Sequence, residues 1–231
     1  MLDPAFHSSI LRALARAVRP SCAVCSLAPG LVCEACEADF FPRARARCTV
    51  CAVPLHGADT VCGRCLSSPP RFHRTTALGD YAPPLDGMVM ALKFGARLDL
   101  AAAFGGLLAR RVETAGTALV IPVPLSFERM SERGFNQSLQ IARAYCAASG
   151  ARLAADAVRR IRHAPPQQTL ALDERRRNIR GAFEAMSSVR DRQVLVVDDV
   201  MTSGSTMDEM ARVLVAAGAA SVHAVVVART P

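Results

Sequence analysis

The sequence predicts an α/β protein, with a parallel sheet flanked by helices and a small cysteine-rich module ahead of it. Three observations predict this. Eight of the nine cysteines stand before residue 66. Beyond about residue 74, short apolar runs such as ALVIPV (118–123) and VLVV (194–197) alternate with segments of helical periodicity, the order that builds a parallel sheet. The run VLVVDDVMTSGST (194–206) passes from an apolar strand into two acids and a hydroxyl-rich loop, and ligands of open α/β sheets gather at such carboxyl ends.

The elements follow in order. Phe6, Ile10, Leu14 and Val18 recur every four residues with arginines between them, which predicts a short amphipathic helix over residues 1–20. The segment has no signal-like apolar stretch, and no apolar run of the chain is long enough to span a bilayer, so a cytoplasmic protein is expected. Residues 21–70 form the cysteine module and residues 71–231 the α/β domain, the composition changing near 67–74. Within that domain a strand is expected over 75–81 and helices over 84–94 and 98–112. A buried strand follows at 118–123, a helix at 136–148, a strand within 151–158, and the strand 194–197. The helix 206–217, with Gly218 at its C-terminal end, and a strand at 222–228 complete the chain.

The apolar fraction of 51% is ample for a core, and the net charge of +8 suggests a phosphate-bearing or polyanionic ligand. Among the 28 basic residues only Lys93 is a lysine, a compact ammonium that differs chemically from the planar guanidinium.

The cysteines arrive in four Cys-x-x-Cys pairs: Cys22 and Cys25, Cys33 and Cys36, Cys48 and Cys51, Cys62 and Cys65. Each pair places two thiolates on one side of a turn, and two pairs complete a tetrahedral sulfur set for Zn²⁺. Two structural zinc sites are therefore expected. Whether neighbouring pairs join, or the first joins the third, is open at this level. Cys146 stands alone in a helical stretch and reads as a core residue. Arg43, Arg45, Arg47, Arg64, Arg71 and Arg74 surround the module and suit contact with nucleic acid. Packing of the module on its own α/β domain is the other reading.

At the strand end, Asp198 and Asp199 can accept hydrogen bonds from a vicinal diol. Thr202, Ser203, Gly204, Ser205 and Thr206 then open a helix whose backbone amides and hydroxyls can surround a phosphate. Diol and phosphate together describe a ribose 5-phosphate. No Gly-Lys-Ser/Thr phosphate loop of the nucleotide triphosphate type is present.

The stretch VLVVDDVMTSGST resembles the phosphoribosyl pyrophosphate (PRPP) motif of type I phosphoribosyltransferases. With the four cysteine pairs, DYAPPLDGMVMALKFG, IPVPLSFERMSERGFNQS and RRNIRGAF, the chain is similar to the ComF family of competence-associated and GntX-like proteins, in which a double zinc ribbon precedes a type I phosphoribosyltransferase fold. The resemblance implies binding of PRPP with Mg²⁺, the acids taking the ribose hydroxyls and the following loop the 5′-phosphate. It implies a pyrophosphate-binding loop after the strand 118–123, at Pro124, Leu125, Ser126 and Arg129, with Arg133 and the turn 134–137 just beyond, where Asn136 reads equally as a ligand or a helix cap. A mobile lid is implied over 160–180, with Arg160, Arg162, Gln168, Thr169, Arg177 and Asn178 as candidates, its arginines neutralising departing pyrophosphate. A hood for the acceptor would come from residues 75–112, including Tyr81, Lys93 and Phe94, or from the cysteine module.

The implied activity is that of a glycosyltransferase (phosphoribosyltransferase), moving a phosphoribosyl group to an unidentified nitrogen acceptor (a base or amine) with release of pyrophosphate, linked to DNA uptake and natural transformation. The alternative is a non-catalytic, PRPP-sensing adaptor that grips single-stranded DNA, or DNA-uptake proteins, in competence or repair. Aromatic residues are 5% of the chain and tryptophan is absent, which leaves few stacking platforms for bases.

Overall fold

The computed structural model describes residues 21–42, 46–112, 118–162 and 179–231. The helix expected over 1–20 lies outside them, as does most of the expected lid. No described helix is long and apolar enough to cross a membrane.

Two short helices each start after the first cysteine of a pair and contain the second: α1 (Glu34–Phe40) and α2 (Gly63–Ser67). Then come β1 (Arg74–Asp80), α3 (Leu85–Phe94), α4 (Leu98–Ala109), β2 (Leu119–Pro122), α5 (Phe127–Arg133) and α6 (Gln137–Ser149). The chain continues through β3 (Arg152–Leu153), β4 (Val158–Arg160), β5 (Phe183–Ala185), β6 (Gln193–Met201), α7 (Ser205–Ala216) and β7 (Ser221–Arg229). Five strands form a parallel sheet in the order β1-β7-β6-β2-β3, and β4 and β5 form a separate antiparallel pair. The predicted parallel sheet is present.

The sheet divides two apolar cores. Along β6, Val194 and Val196 join α7 and β5 on one side, while Leu195 and Val197 join α3, α4 and α6 on the other. Strands buried on both faces read as continuous apolar runs, which is why 194–197 was legible. Within β7, His223 accepts from Arg74 Nε at 3.2 Å and donates to Thr76 Oγ1 at 3.0 Å. Burial, then the charge of Arg74, pushes this imidazole down to about 3, so it stays neutral.

Several expectations need correction. Residues 75–112, expected to supply a hood, also build part of the sheet and core. β1 is hydrogen-bonded to β7 along its length, and α3 and α4 supply Leu92, Leu100, Phe104 and Leu108 to the core. The segment after Pro124, expected as a loop, contains α5, capped by Ser126, whose hydroxyl accepts from Arg129 N at 3.4 Å. None of its residues is buried, so no apolar stripe marked it. The expected strand within 151–158 is split into β3 and the start of β4.

Helices α4 and α6 meet at Gly105. A Cβ placed there would lie 2.5 Å from Ala144 Cβ and 2.6 Å from Tyr145 N, so neither helix could keep its place. Gly105→Ala is expected to cost about 3 kcal/mol by overpacking and to lower Tm by roughly 6–12 °C. An unchanged calorimetric melt would mean that the helices do not approach this closely.

The cysteine clusters dock on opposite sides of β1. Next to the first, Phe41 is buried against Leu78 and α4, Arg110 pairs with Glu37, and Arg111 donates to the carbonyls of Phe41 and Leu78. The second joins the core that contains α7 and lies along the free edge of β1. There Thr75 N donates to Thr49 O and Thr75 Oγ1 to Val50 O, while Arg47 pairs with Asp80 at 2.8 Å. Covering an edge strand removes a template for pairing with other chains.

Candidate functional site

The site lies where β6 runs out into α7. Asp198 Oδ1 accepts from Ser138 Oγ at 2.7 Å and from Asp199 N at 2.9 Å. Asp199 is 8% exposed, and its Oδ1 lies 3.0 Å from Lys93 Nζ. The single lysine of the chain therefore faces the acidic pair. Burial, then the neighbouring charge of Asp199, raises the Asp198 carboxyl to about 7, against the opposing bond from Ser138 and the charge of Lys93. Two adjacent carboxylates with one ammonium resist a second negative charge until a ligand compensates it.

The loop beyond is built for close approach. Gly204 adopts φ 80°, a left-handed conformation that suits glycine, and a Cβ there would meet Met201 Cε at 2.8 Å. Ser203 Oγ and Ser205 Oγ are 2.8 Å apart, and Ser205 N donates to Ser203 Oγ at 3.3 Å. Thr202, Ser203 and Gly204 thus precede α7, with Ser205 and Thr206 in its first turn. A twelve-residue helix directs its amide dipoles toward this loop.

Positive charge faces the acids from two directions. Arg133 stacks over the Phe94 ring at 5.0 Å and its Nε is buried without a hydrogen-bond partner. Burial, then the charge of Arg129, lowers its pKa, while Asp199 acts in the opposite sense. Arg160 lies 5.7 Å from the Phe183 ring centroid and donates to Arg162 O. Burial and then Arg129 lower its pKa too, with Glu128 and Asp198 opposing. Arg129, Arg133 and Arg160 therefore sense one another or the acidic pair, and an added anion would relieve their mutual repulsion. Pro124 and Leu125 connect β2 to the Ser126 cap, beside the bond from Val123 N to Val197 O.

Other predicted residues have different settings. Asn136 is a helix cap: its Oδ1 accepts from Leu139 N and its Nδ2 donates to Val123 O at 3.0 Å. Tyr81 packs at the edge of the core near the end of β1. Of the lid candidates, Arg160 and Arg162 are described, whereas Gln168, Thr169, Arg177 and Asn178 lie outside the described residues. Just beyond the span expected as a lid, Gly181 N donates to Glu209 Oε1 of α7 at 2.7 Å. Three supporting residues were not assigned to this site from the pattern of the chain: Ser138, which closes the run IPVPLSFERMSERGFNQS, Arg64, which was grouped with the arginines around the cysteine module, and Arg229. Arg229 was visible only as a charge closing an apolar strand.

The cysteines resolve into neighbouring pairs. Cys22, Cys25, Cys33 and Cys36 form one cluster and Cys48, Cys51, Cys62 and Cys65 the other, the sulfurs of each within 4.8 Å of one another. The contacts of 3.9 Å between Cys25 and Cys33, and of 3.7 Å between Cys51 and Cys62, suit zinc, whose tetrahedral bonds of ~2.3 Å set sulfurs about 3.8 Å apart. Burial pushes the Cys22 thiol up, but backbone N–H donors at Cys25, Cys33 and Val24 outweigh it and bring it to about 6. Cys48 is brought to about 7 by the same kind of balance. Cys25 is lowered as well, by backbone donors at Leu27 and Ala28, so each cluster holds at least one thiol shifted toward the thiolate. Burial alone raises Cys146 to about 11, as suits a packed side chain.

A family model described as "Phosphoribosyl transferase domain" matches residues 99–231. The chain belongs to the phosphoribosyl transferase family. It is 37% identical over 190 residues to "DNA utilization protein YhgH" of Escherichia coli O6:H1, covering 79% of this chain and 84% of that protein. It is 28% identical over 195 residues to "Competence protein F" of Haemophilus influenzae, covering 79% and 83% of the two chains. These relatives bear out the ComF resemblance. Among solved structures, a glutamine PRPP amidotransferase from B. subtilis is 19% identical with a TM-score of 0.42, covering 60% of this chain and 30% of that one. In this chain β6 and α7 lie inside the matched span, and both cysteine clusters precede it.

Proposed function

We propose that the protein binds PRPP with Mg²⁺ and transfers the phosphoribosyl group to a nitrogen acceptor in the cytoplasm. The observation that carries this is the continuity of Asp198 and Asp199 with the loop 202–206 at the start of a helix. Acids and loop would take the ribose diol and the 5′-phosphate. Arg129, Arg133 and Arg160 would take the pyrophosphate, the buried and unpartnered Arg133 Nε being the donor that asks for an anion. In the transfer the C1′–O bond breaks with its electron pair leaving on pyrophosphate, and the acceptor nitrogen bonds to C1′ and gives up its proton to solvent. Bound Mg²⁺ would supply charge neutralisation to the pyrophosphate. The residues here contribute positioning and a preformed electrostatic field.

Calorimetry with PRPP and Mg²⁺ should show one site per chain, and a panel of bases and amines should include one that releases pyrophosphate. No heat of binding would remove the site assignment. Binding without pyrophosphate release for any acceptor would favour the sensing role instead.

A specific feature supports a DNA-linked role. A cleft of about 570 Å³ opens between α2 and α7, lined by Arg64, Arg71, Arg180 and Arg212. Two of these arginines are partly neutralised, Arg71 by Asp208 at 3.2 Å and Arg212 by Glu209 at 2.7 Å. Single-stranded DNA should bind with an affinity that falls steeply with salt, and Arg180→Ala should flatten the slope. A salt-independent or absent interaction would sink this reading.

A further inference from the structure

Three successive carbonyls of the phosphate loop are gripped from behind. Arg229 is 4% exposed, and its Nη1 donates to Met201 O at 3.1 Å and to Thr202 O at 2.6 Å. Arg64 Nη1 donates to Ser203 O at 3.0 Å. A trans peptide is planar, with its N–H directed opposite to its C=O. Holding the carbonyls of Met201, Thr202 and Ser203 toward the arginines therefore turns the N–H groups of Thr202, Ser203 and Gly204 the other way, as a phosphate cradle requires.

Both arginines are themselves placed by the second cysteine cluster. Arg229 Nε donates to Cys51 O at 2.9 Å. Arg64 stands in α2, between Cys62 at its N-cap and Cys65 within it. The cysteine pairs 48/51 and 62/65 thus hold one clamp each. Phe72 and Cys65 lie in the same core as Met201 and Met207, so the cluster backs the loop by packing as well. The first cluster makes its contacts on the other side of the sheet, with α4 and Leu78.

We propose that the second cysteine cluster is a positioning centre for the phosphate loop, acting through Arg64 and Arg229, whereas the first cluster contributes stability alone. The inference rests on the PRPP reading. Metal held by Cys48, Cys51, Cys62 and Cys65 would fix the two turns that carry the clamps. Loss of that metal would loosen the loop without touching the acids.

The test compares full-length variants by zinc content, Tm, PRPP affinity and amide exchange of residues 202–204. Arg64 is exposed, so Arg64→Ala should keep its fold and both metals while PRPP affinity falls about ten-fold. Arg229→Lys should lose affinity at least as strongly. Cys62→Ser and Cys33→Ser should each lose one zinc, but only Cys62→Ser should weaken PRPP binding. The proposal is overturned if Arg64→Ala, Arg229→Lys and Cys62→Ser all bind PRPP as the unaltered protein does. It is also overturned if a still-folded Cys33→Ser weakens binding as much as Cys62→Ser. If the unaltered protein itself binds no PRPP, the functional reading fails, and amide exchange then decides this inference separately. Faster exchange at 202–204 in Arg64→Ala supports the clamp, and equal exchange removes it.

Discussion

Asp198→Asn is expected to raise the melting temperature at pH 8 while reducing PRPP affinity by about 100-fold. The two effects have one cause. The carboxylate is held in a setting that disfavours its charge, first by burial and then by Asp199. Asparagine has nearly the same shape, and its Oδ1 can still accept from Ser138 Oγ and Asp199 N, the two donors that meet the acid. The charge is removed, and the second acceptor oxygen becomes an NH2 donor.

The sign of the pH dependence follows from linkage. Below about pH 4 the carboxyl is protonated in folded and unfolded chains alike, and its contribution is constant. Between there and about 7 the unfolded chain releases the proton while the folded chain keeps it. Stability of the unaltered protein therefore falls through that window, and the advantage of the variant is fully present above it. An advantage of order 1–3 kcal/mol is expected at pH 8. Thermal melts at pH 4 and pH 8, paired with calorimetric titration of PRPP, measure both effects. A variant that is destabilised at pH 8, or that binds PRPP normally, would refute the assignment of Asp198.

The second large effect concerns metal. Purified protein should carry two zinc ions per chain, and chelation should unfold residues 21–70 ahead of the sheet. Helices α1 and α2 have seven and five residues, too few to persist without tertiary support. The cysteines make up much of what is buried there, with Phe41 and Ala52 among the few other apolar residues. A structural zinc site supplies about 10–16 kcal/mol to such a module, more than its apolar contacts can replace. Metal analysis and amide exchange before and after chelation test this. Fewer than two zincs, or a module unmoved by chelation, would overturn it.

Much of the sheet was legible because its strands are buried on both faces. ALVIPV and VLVV leave no polar face, so no other short element fits them. The acidic pair and its loop were legible for the opposite reason: polar residues at the end of an apolar run must face a ligand or solvent. Helix α5 was not legible, since a helix with no buried residue has no apolar stripe. The role of Lys93 was not legible either. It was grouped with the hood, yet it closes on Asp199 across 106 residues of chain.

By itself, then, the sequence determined the α/β class, the four cysteine pairs, and a strand that ends in two acids and a hydroxyl-rich loop. Each of these is carried by neighbours within a dozen positions or so, where spacing and residue type translate directly into local geometry. The tertiary structure decided which cysteine pairs join, which cation meets Asp199, and that Arg64 and Arg229 hold the loop's carbonyls. Those contacts depend on how β7 and the second cluster pack beside β6. Polar partners so far apart in the chain leave no periodicity to read, because only the folded sheet brings them within a hydrogen bond's length.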